Sequence, residues 1–281
     1  MTTNNYVDLE DSKFVSITGE DKSDFLQGII TNDINKCNSE KLLYSCFLSP
    51  QGKFISDFFI LKDKNRYLIE IHKNYFDEFI KKLNIYKLRS KVKIDEDNLF
   101  KSIVLLDFNE SEKIDRKIYS FYDPRTKILG LKIFIEKDKV NNFLNKHNLQ
   151  KTKFDVYRNL LIKNLIPYSP EDLIINKSLL LENNFEKLNA IDWNKGCYVG
   201  QEITARMKYR SLLKKSIRSL KILSGKISIG SKVFYKKNEI GEIISYNKNF
   251  AIAMMKIEHV KEIIDNEYTL NTEESELKIF K

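Results

Sequence analysis

The chain has 281 residues, 42% of them hydrophobic and 31% charged, with a formal net charge of +9. That length suits one large or two modest domains, and that balance excludes wholesale disorder. The positive residues are overwhelmingly Lys and lie scattered along the whole chain, so the charge reads as compositional bias with a weak general attraction for polyanions.

From the N-terminus, residues 13–18 alternate apolar and polar as a half-buried strand, and Gly19 ends it. A helix is expected from Asp21, with Phe25, Leu26, Ile29 and Ile30 at helical spacing. Residues 42–48, 54–61 and 67–71 form an antiparallel meander, and Phe76, Phe79, Ile80, Leu83, Tyr86 and Leu88 mark an amphipathic helix. Strands at 102–106, 117–122 and 129–135 precede helices around 140–144 and 154–162, which Pro167 and Pro170 terminate. Four short strands at 216–223, 232–235, 240–246 and 250–256 suggest a small C-terminal β-barrel or sandwich. The expected class is therefore α+β, with residues 1–213 as the larger domain and 214–281 as the β-module.

Three cysteines, Cys37, Cys46 and Cys197, form no Cys-x-x-Cys pair and no zinc-like cluster with His72, His147 or His259. No metal site is expected, and few isolated thiols fit a reducing compartment. The opening residues show neither a signal nor a transit pattern, and no stretch has the apolar length to cross a bilayer, so the expected setting is cytoplasmic without a membrane partner. Cys37 and Cys46 belong to the meander and are expected in its core.

Cys197 stands apart, within Lys195-Gly-Cys-Tyr-Val-Gly-Gln-Glu202. Gly196 and Gly200 bracket it as a shaped turn would require, Lys195 precedes it, and a basic amphipathic segment follows. A neighbouring cation and a helix start would lower the thiol pKa and make it reactive. The alternative is a shielded structural cysteine, which residue chemistry alone favours.

With the octet, Phe25-Leu-Gln-Gly28, Thr31-Asn-Asp33, Leu43-Tyr-Ser45, Ser49-Pro-Gln-Gly-Lys53, Asp123-Pro-Arg125, Ile166-Pro167 and Gly241-Glu-Ile243 stand in order along the chain. In these motifs the sequence resembles the YgfZ-type folate-binding family, relatives of the glycine-cleavage aminomethyltransferase that include a mitochondrial iron–sulfur assembly factor. The resemblance implies an aminomethyltransferase-like folate-binding ring of mixed subdomains with a small C-terminal barrel, and tetrahydrofolate as cofactor. It places Tyr44 at a folate-contacting tyrosine, Asp57 at the catalytic aspartate and Glu182 at the glutamate that pairs with the pterin. A pterin edge presents adjacent N–H donors, which a carboxylate accepts as two charge-assisted hydrogen bonds. Lys195 and Arg206 are candidate contacts for the anionic parts of the ligand.

The transferases lack a thiol at the octet, so of the two candidate catalytic residues Cys197 argues for the assembly-factor branch, while Asp57 keeps a one-carbon transferase open. The implied function is assistance in assembling or repairing iron–sulfur clusters, with assembly proteins and apo-enzymes as partners. Two rival functions remain open: a folate-dependent aminomethyl or methyl transferase using Asp57, and a tRNA-binding platform linked to tRNA modification, in which Tyr209 stacks between the cations of residues 206–210. Whether the protein is an enzyme stays undecided at this point.

Overall fold

The computed structural model describes residues 5–106, 114–115, 118–210 and 212–280. The chain divides into two compact units. One comprises Met1–Pro50, Ile55–Phe154 and Lys187–Gln201, the other Gln51–Phe54, Asp155–Glu186 and Glu202–Lys281.

The first unit contains β1 (Asn5–Asp8), β2 (Ser12–Thr18), α1 (Lys22–Ile29), β3 (Leu43–Leu48), β4 (Phe54–Asp63, which starts in the second unit), β5 (Arg66–His72), α2 (Lys73–Lys87), β6 (Lys93–Asp97), β7 (Phe100–Leu106), β8 (Tyr119–Tyr122), β9 (Leu131–Glu136), α3 (Val140–Lys146) and β10 (Gln150–Lys151). They make two five-stranded sheets, ordered β3-β4-β5-β2-β6 and β10-β1-β7-β9-β8. The expected meander is β3-β4-β5, and β2 joins it antiparallel to β5, with Phe14 opposite Glu70. Every residue of β3 is buried, including Ser45, whose hydroxyl accepts from Asn32 N at 3.0 Å. α2 presents Tyr75, Phe76, Phe79 and Leu83 to the sheet, where Phe79 packs 5.0 Å from Phe58 between ring centroids. Leu88 falls outside α2: its φ of +46° ends the helix, and its side chain is 86% exposed rather than on the apolar face. The strand expected at 117–122 is β8, and Lys117 lies outside the described residues.

The second unit contains α4 (Phe154–Lys163, from its second residue), α5 (Ser169–Asp172), α6 (Gln201–Tyr209, from its second residue), β11 (Lys215–Gly225), β12 (Lys232–Tyr235), β13 (Asn238–Asn247), β14 (Phe250–Lys256), α7 (Ile257–Asp265), β15 (Leu270–Asn271) and β16 (Ser275–Ile279). The strands form a closed barrel, β11-β14-β13-β12-β15-β16. Closure comes from the length of β11, which pairs with β14 from Lys215 to Lys221 and with β16 from Leu220 onward. Inside lie Leu220, Val233, Ile240, Ile243, Ala251, Ala253, Met255 and Leu277. The four strands read from the sequence are β11 to β14; β15, β16 and α7 complete what short apolar spacing alone did not reveal.

A single cut near Leu213 is not how the chain packs. Residues 155–186 join the barrel because Ile162 of α4 is buried with Ile217 and Ile252, and because the buried Arg158 guanidinium donates to Asp172 and to Ser245 Oγ of β13, at 2.6 and 2.8 Å. Ser245, Ile217 and Ile252 lie far from α4 in sequence, out of reach of a reading by local composition.

Candidate functional site

Asp57 sits half-buried on β4 and accepts a 2.6 Å hydrogen bond from the Tyr44 hydroxyl on β3. Tyr44 is 0% exposed, and burial first, then the Asp57 charge, pushes its phenol well above the ordinary range. The hydroxyl therefore keeps its proton and always donates to Asp57. The tyrosine ring packs 4.9 Å from the Phe59 ring, and the Arg125 guanidinium stands 5.3 Å from the Tyr44 centroid and 5.0 Å from that of Phe59. Arg125 is itself held as a fork on Asp123, Nε to Oδ1 at 2.9 Å and Nη2 to Oδ2 at 2.7 Å. The ring of Tyr44 is thus enclosed, which corrects the folate contact the resemblance suggested. Its geometry serves instead to orient Asp57.

Beneath this corner, the buried Lys132 ammonium pairs with Glu70 at 2.8 Å and lies 4.3 Å from the Phe59 centroid, while Ser12 Oγ donates to Glu70 at 2.6 Å. Sequence reasoning missed both cations. Arg125 belongs to a motif that carries the resemblance without a role of its own, and Lys132 occupies a strand position that alternation alone would send to either face.

The octet is built differently. Lys195 is buried, and its ammonium donates to the carbonyls of Gln27, Ile30 and Asn32 at 2.7, 2.6 and 2.9 Å. These carbonyls belong to the last turn of α1 and the residues just beyond it, where oxygens lack helical partners and attract a cation. Burial lowers the Lys195 pKa to about 8, against the pull of Asp33 and Asp192. The same two segments are joined by Val199 N–H to Gly28 O, Thr31 Oγ1 to Ala190 O, and Asn32 Nδ2 to Asn189 O. Lys195 was expected to prime the thiol or meet an anionic ligand. All three of its donors are instead engaged inside the unit, because α1 has no basic residue of its own in its last turn.

Cys197 itself is exposed, which sets aside the reading of it as a shielded structural cysteine, while Cys37 and Cys46 are both buried. Gly200 takes φ +81°, and α6 starts at the next residue, so the turn-to-helix transition lies where the spacing suggests. Gly196 is not in a left-handed conformation, and a Cβ there would meet nothing within 4 Å; its glycine is not demanded by the turn.

In the second unit, Glu182 lies in the irregular run after α5, with its carbonyl accepting from Ile217 N at 2.9 Å. Burial raises its carboxyl pKa, while the charges of Lys53 and Lys215 pull the other way. No hydrogen bond reaches its carboxylate among the described residues. Arg206 on α6 is 48% exposed and pairs loosely with Glu202 at 3.6 Å, a surface contact of small energetic weight. Among the described residues, no three His, Cys, Asp or Glu side chains gather to hold a metal ion.

The architecture is that of an aminomethyltransferase. The crystal structure of the glycine-cleavage aminomethyltransferase T from Bartonella henselae superimposes with a TM-score of 0.76, covering 99% of this chain and 85% of that one at 11% identity. No family model matches the chain. Among curated proteins, the iron–sulfur cluster assembly factor IBA57 homologue of Neurospora crassa is 31% identical over 231 residues, covering 74% of this chain and 52% of the relative. The corresponding protein of Coccidioides immitis is 27% identical over 235 residues, covering 75% and 55%. The chain spans about half the length of the curated relatives it matches. It is a homologue of the IBA57-type assembly factors on an aminomethyltransferase fold, which bears out the YgfZ-type resemblance carried by its motifs. These relatives are named as mitochondrial, which overturns the expectation of a cytoplasmic setting. That expectation rested on the composition of the first residues, and residues 1–4 lie outside the described structure.

Proposed function

We propose that this chain works in the assembly or repair of iron–sulfur clusters as a tetrahydrofolate-binding protein, with Cys197 as its reactive thiol. The observation that carries the reading is the exposure of Cys197 on a loop whose backbone is held by the buried Lys195. A thiolate is both nucleophile and soft metal ligand, and a single one cannot hold a cluster, so the remaining ligands come from assembly partners or the apo-enzyme. The relatives' names supply the process, and mitochondria are the compartment to examine first.

The folate part of the reading rests on the fold and on Glu182. A half-buried carboxylate without a hydrogen-bonding partner among the described residues suits the paired N–H donors of a pterin edge. The folate would supply one-carbon chemistry; the chain's residues would bind it and, through the Tyr44 hydroxyl, hold the orientation of Asp57. Arg206, exposed on α6, is available to the anionic glutamyl end of the ligand. Lys195 would contribute by fixing the loop rather than by touching folate.

Titration of the purified chain with tetrahydrofolate is expected to show saturable binding that weakens at least about tenfold in Glu182→Ala, a loss of about 1.4 kcal/mol. Cys197→Ser is expected to bind folate normally and fail to restore iron–sulfur enzyme activity in an assembly-deficient strain. Full restoration by that variant sinks the thiol role, and absence of folate binding by the wild type sinks the cofactor.

A folate-dependent aminomethyl or methyl transferase is the second reading, favoured by the fixed Tyr44–Asp57 hydrogen bond. Turnover abolished by Asp57→Asn and kept by Cys197→Ser selects it. The tRNA-binding reading draws on Tyr209, 69% exposed beside Arg210. Affinity for tRNA that does not fall with added salt removes it, because phosphate contacts release counterions.

A further inference from the structure

We propose that the corner where α2 ends is a docking surface for an anionic lipid bilayer, with Leu88 as its apolar tip and Lys81, Lys87 and Arg89 as its cations. Residues 79–94 carry Lys81, Lys82, Lys87, Arg89, Lys91 and Lys93 and no Asp or Glu. Ile85 is 57% exposed and Leu88 86%, the most exposed large apolar side chain among the described residues. No residue of the Asp57 corner or of the Cys197 loop belongs to this corner, so it stands apart from the function proposed above. Contact at a surface is meant, not a span: among the described residues, no helix is long and apolar enough to cross a membrane. The expectation of no membrane partner was drawn from spanning length, which a surface contact does not need.

The first argument is a strained leucine. Ser90 N donates to Lys87 O at 2.8 Å and closes a four-residue turn, inside which Leu88 takes φ +46° and ψ −113°. That is the conformation of the first central residue of a type II′ turn, where glycine is usual. A leucine there is strained, and its exposed side chain recovers nothing from the core. The surroundings hold the turn regardless. Lys91 N donates to Asp21 Oδ2 at 2.6 Å, Val92 is buried, and Gly19 packs so closely that a Cβ on it would lie 2.0 Å from the Lys91 carbonyl oxygen. Leu88 is thus displayed on a fixed backbone, which lowers the ordering cost of inserting it into an apolar phase.

The second observation is the charge around that tip. Lys82 is answered by Glu78, Lys91 by Glu20 and Lys93 by Asp95. Among the described residues, no carboxylate lies within ion-pair distance of Lys81, Lys87 or Arg89. Lys81 and Ile85, both exposed, stand four residues apart on α2, so a cation and an apolar side chain share one face there. A bilayer accepts this combination, because its interface takes up a few apolar side chains while anionic headgroups gather the cations around them. A protein partner is disfavoured by size: stable interfaces bury about 800 Å² on each side, and the apolar part here is two aliphatic side chains at a turn. A second copy is disfavoured by sign, since it would bring like charges together.

Co-sedimentation of the full chain with vesicles of phosphatidylcholine alone, or of phosphatidylcholine and phosphatidylglycerol in equal amounts, tests the proposal. The wild type is expected to bind the anionic vesicles saturably, less as salt rises, and to stay in solution beside the neutral ones. Leu88→Gly carries the sharper test, because glycine suits the turn. That variant is expected to unfold at no lower temperature than the wild type and yet to lose at least about tenfold in vesicle affinity. Lys81→Glu with Arg89→Glu, both at exposed positions, is expected to lose at least as much. The control pair Lys226→Glu with Lys261→Glu makes the same change in net charge at exposed positions of the second unit and is expected to stay within about threefold of the wild type. No binding by the wild type overturns the proposal. Wild-type affinity in Leu88→Gly, or an equal loss in the control pair, overturns it by reducing the binding to overall charge. Self-association of the wild type that Leu88→Gly abolishes, in place of vesicle binding, overturns it in favour of a second copy.

Discussion

Asp57 and Cys197 belong to the same packing unit and have opposite surroundings. Asp57 is half-buried against a tyrosine that cannot lose its proton, itself enclosed by Phe59 and an arginine forked on Asp123. Cys197 stands in the open, and what is buried at its loop is the neighbouring lysine. The first arrangement fixes atoms, as positioning a small molecule requires; the second fixes only the backbone and leaves the thiol accessible to another macromolecule. Rigidity is supplied at both places, at the side chain in one and beneath the loop in the other.

Removing the support under the loop should have the largest effect. Lys195→Met leaves the Gln27, Ile30 and Asn32 carbonyls without their donor, and a loss of about 3 kcal/mol in urea-unfolding stability is expected. The same lysine carries a pH signature. Its folded pKa of about 8 lies below the ordinary 10.5, so between these values the unfolded chain binds more protons than the folded one. Wild-type stability should therefore rise relative to Lys195→Met as pH increases from about 8 to 10.5; a falling difference would show that the carbonyl cage favours the charged form more than burial opposes it.

Tyr44→Phe tests the other region. It removes the hydroxyl that holds Asp57 and is expected to cost about 2 kcal/mol, with transferase turnover, if present, falling more than substrate affinity. Unchanged stability would mean that water replaces the hydroxyl and that the corner is not preorganised.

The two glycines of the octet should separate by a smaller margin. Gly200→Ala forces a side chain into φ +81° and should cost about 1–2 kcal/mol, whereas Gly196→Ala meets open space and should change stability by less than about 0.5 kcal/mol. Cys197→Ser, at an exposed position, should be silent in stability to within about 0.5 kcal/mol. A large loss there would return Cys197 to the structural role that its exposure argues against.

Much of the fold was legible because it is written in local periods. The pattern at 13–18, strand-like runs with short connections in the meander, helical spacing in α2 and α4, and short runs parted by turns in the barrel each need only a handful of neighbouring residues. The octet marked its own thiol through its composition, and the start of α6 followed from the same stretch. The assignments that changed involve partners distant in sequence. Lys195 looked like a cation for Cys197 until its acceptors proved to be carbonyls up to 168 residues away. Tyr44 looked like a folate contact until Phe59 and Arg125 were found against its ring. Residues 155–186 looked like part of the larger domain until Arg158 and Ile162 were found on the barrel. Local sequence determines which elements form and where the thiol stands. What each charge answers to is decided by tertiary packing, because a buried cation takes whichever acceptors the fold brings within about 3 Å of it, however far apart they lie along the chain.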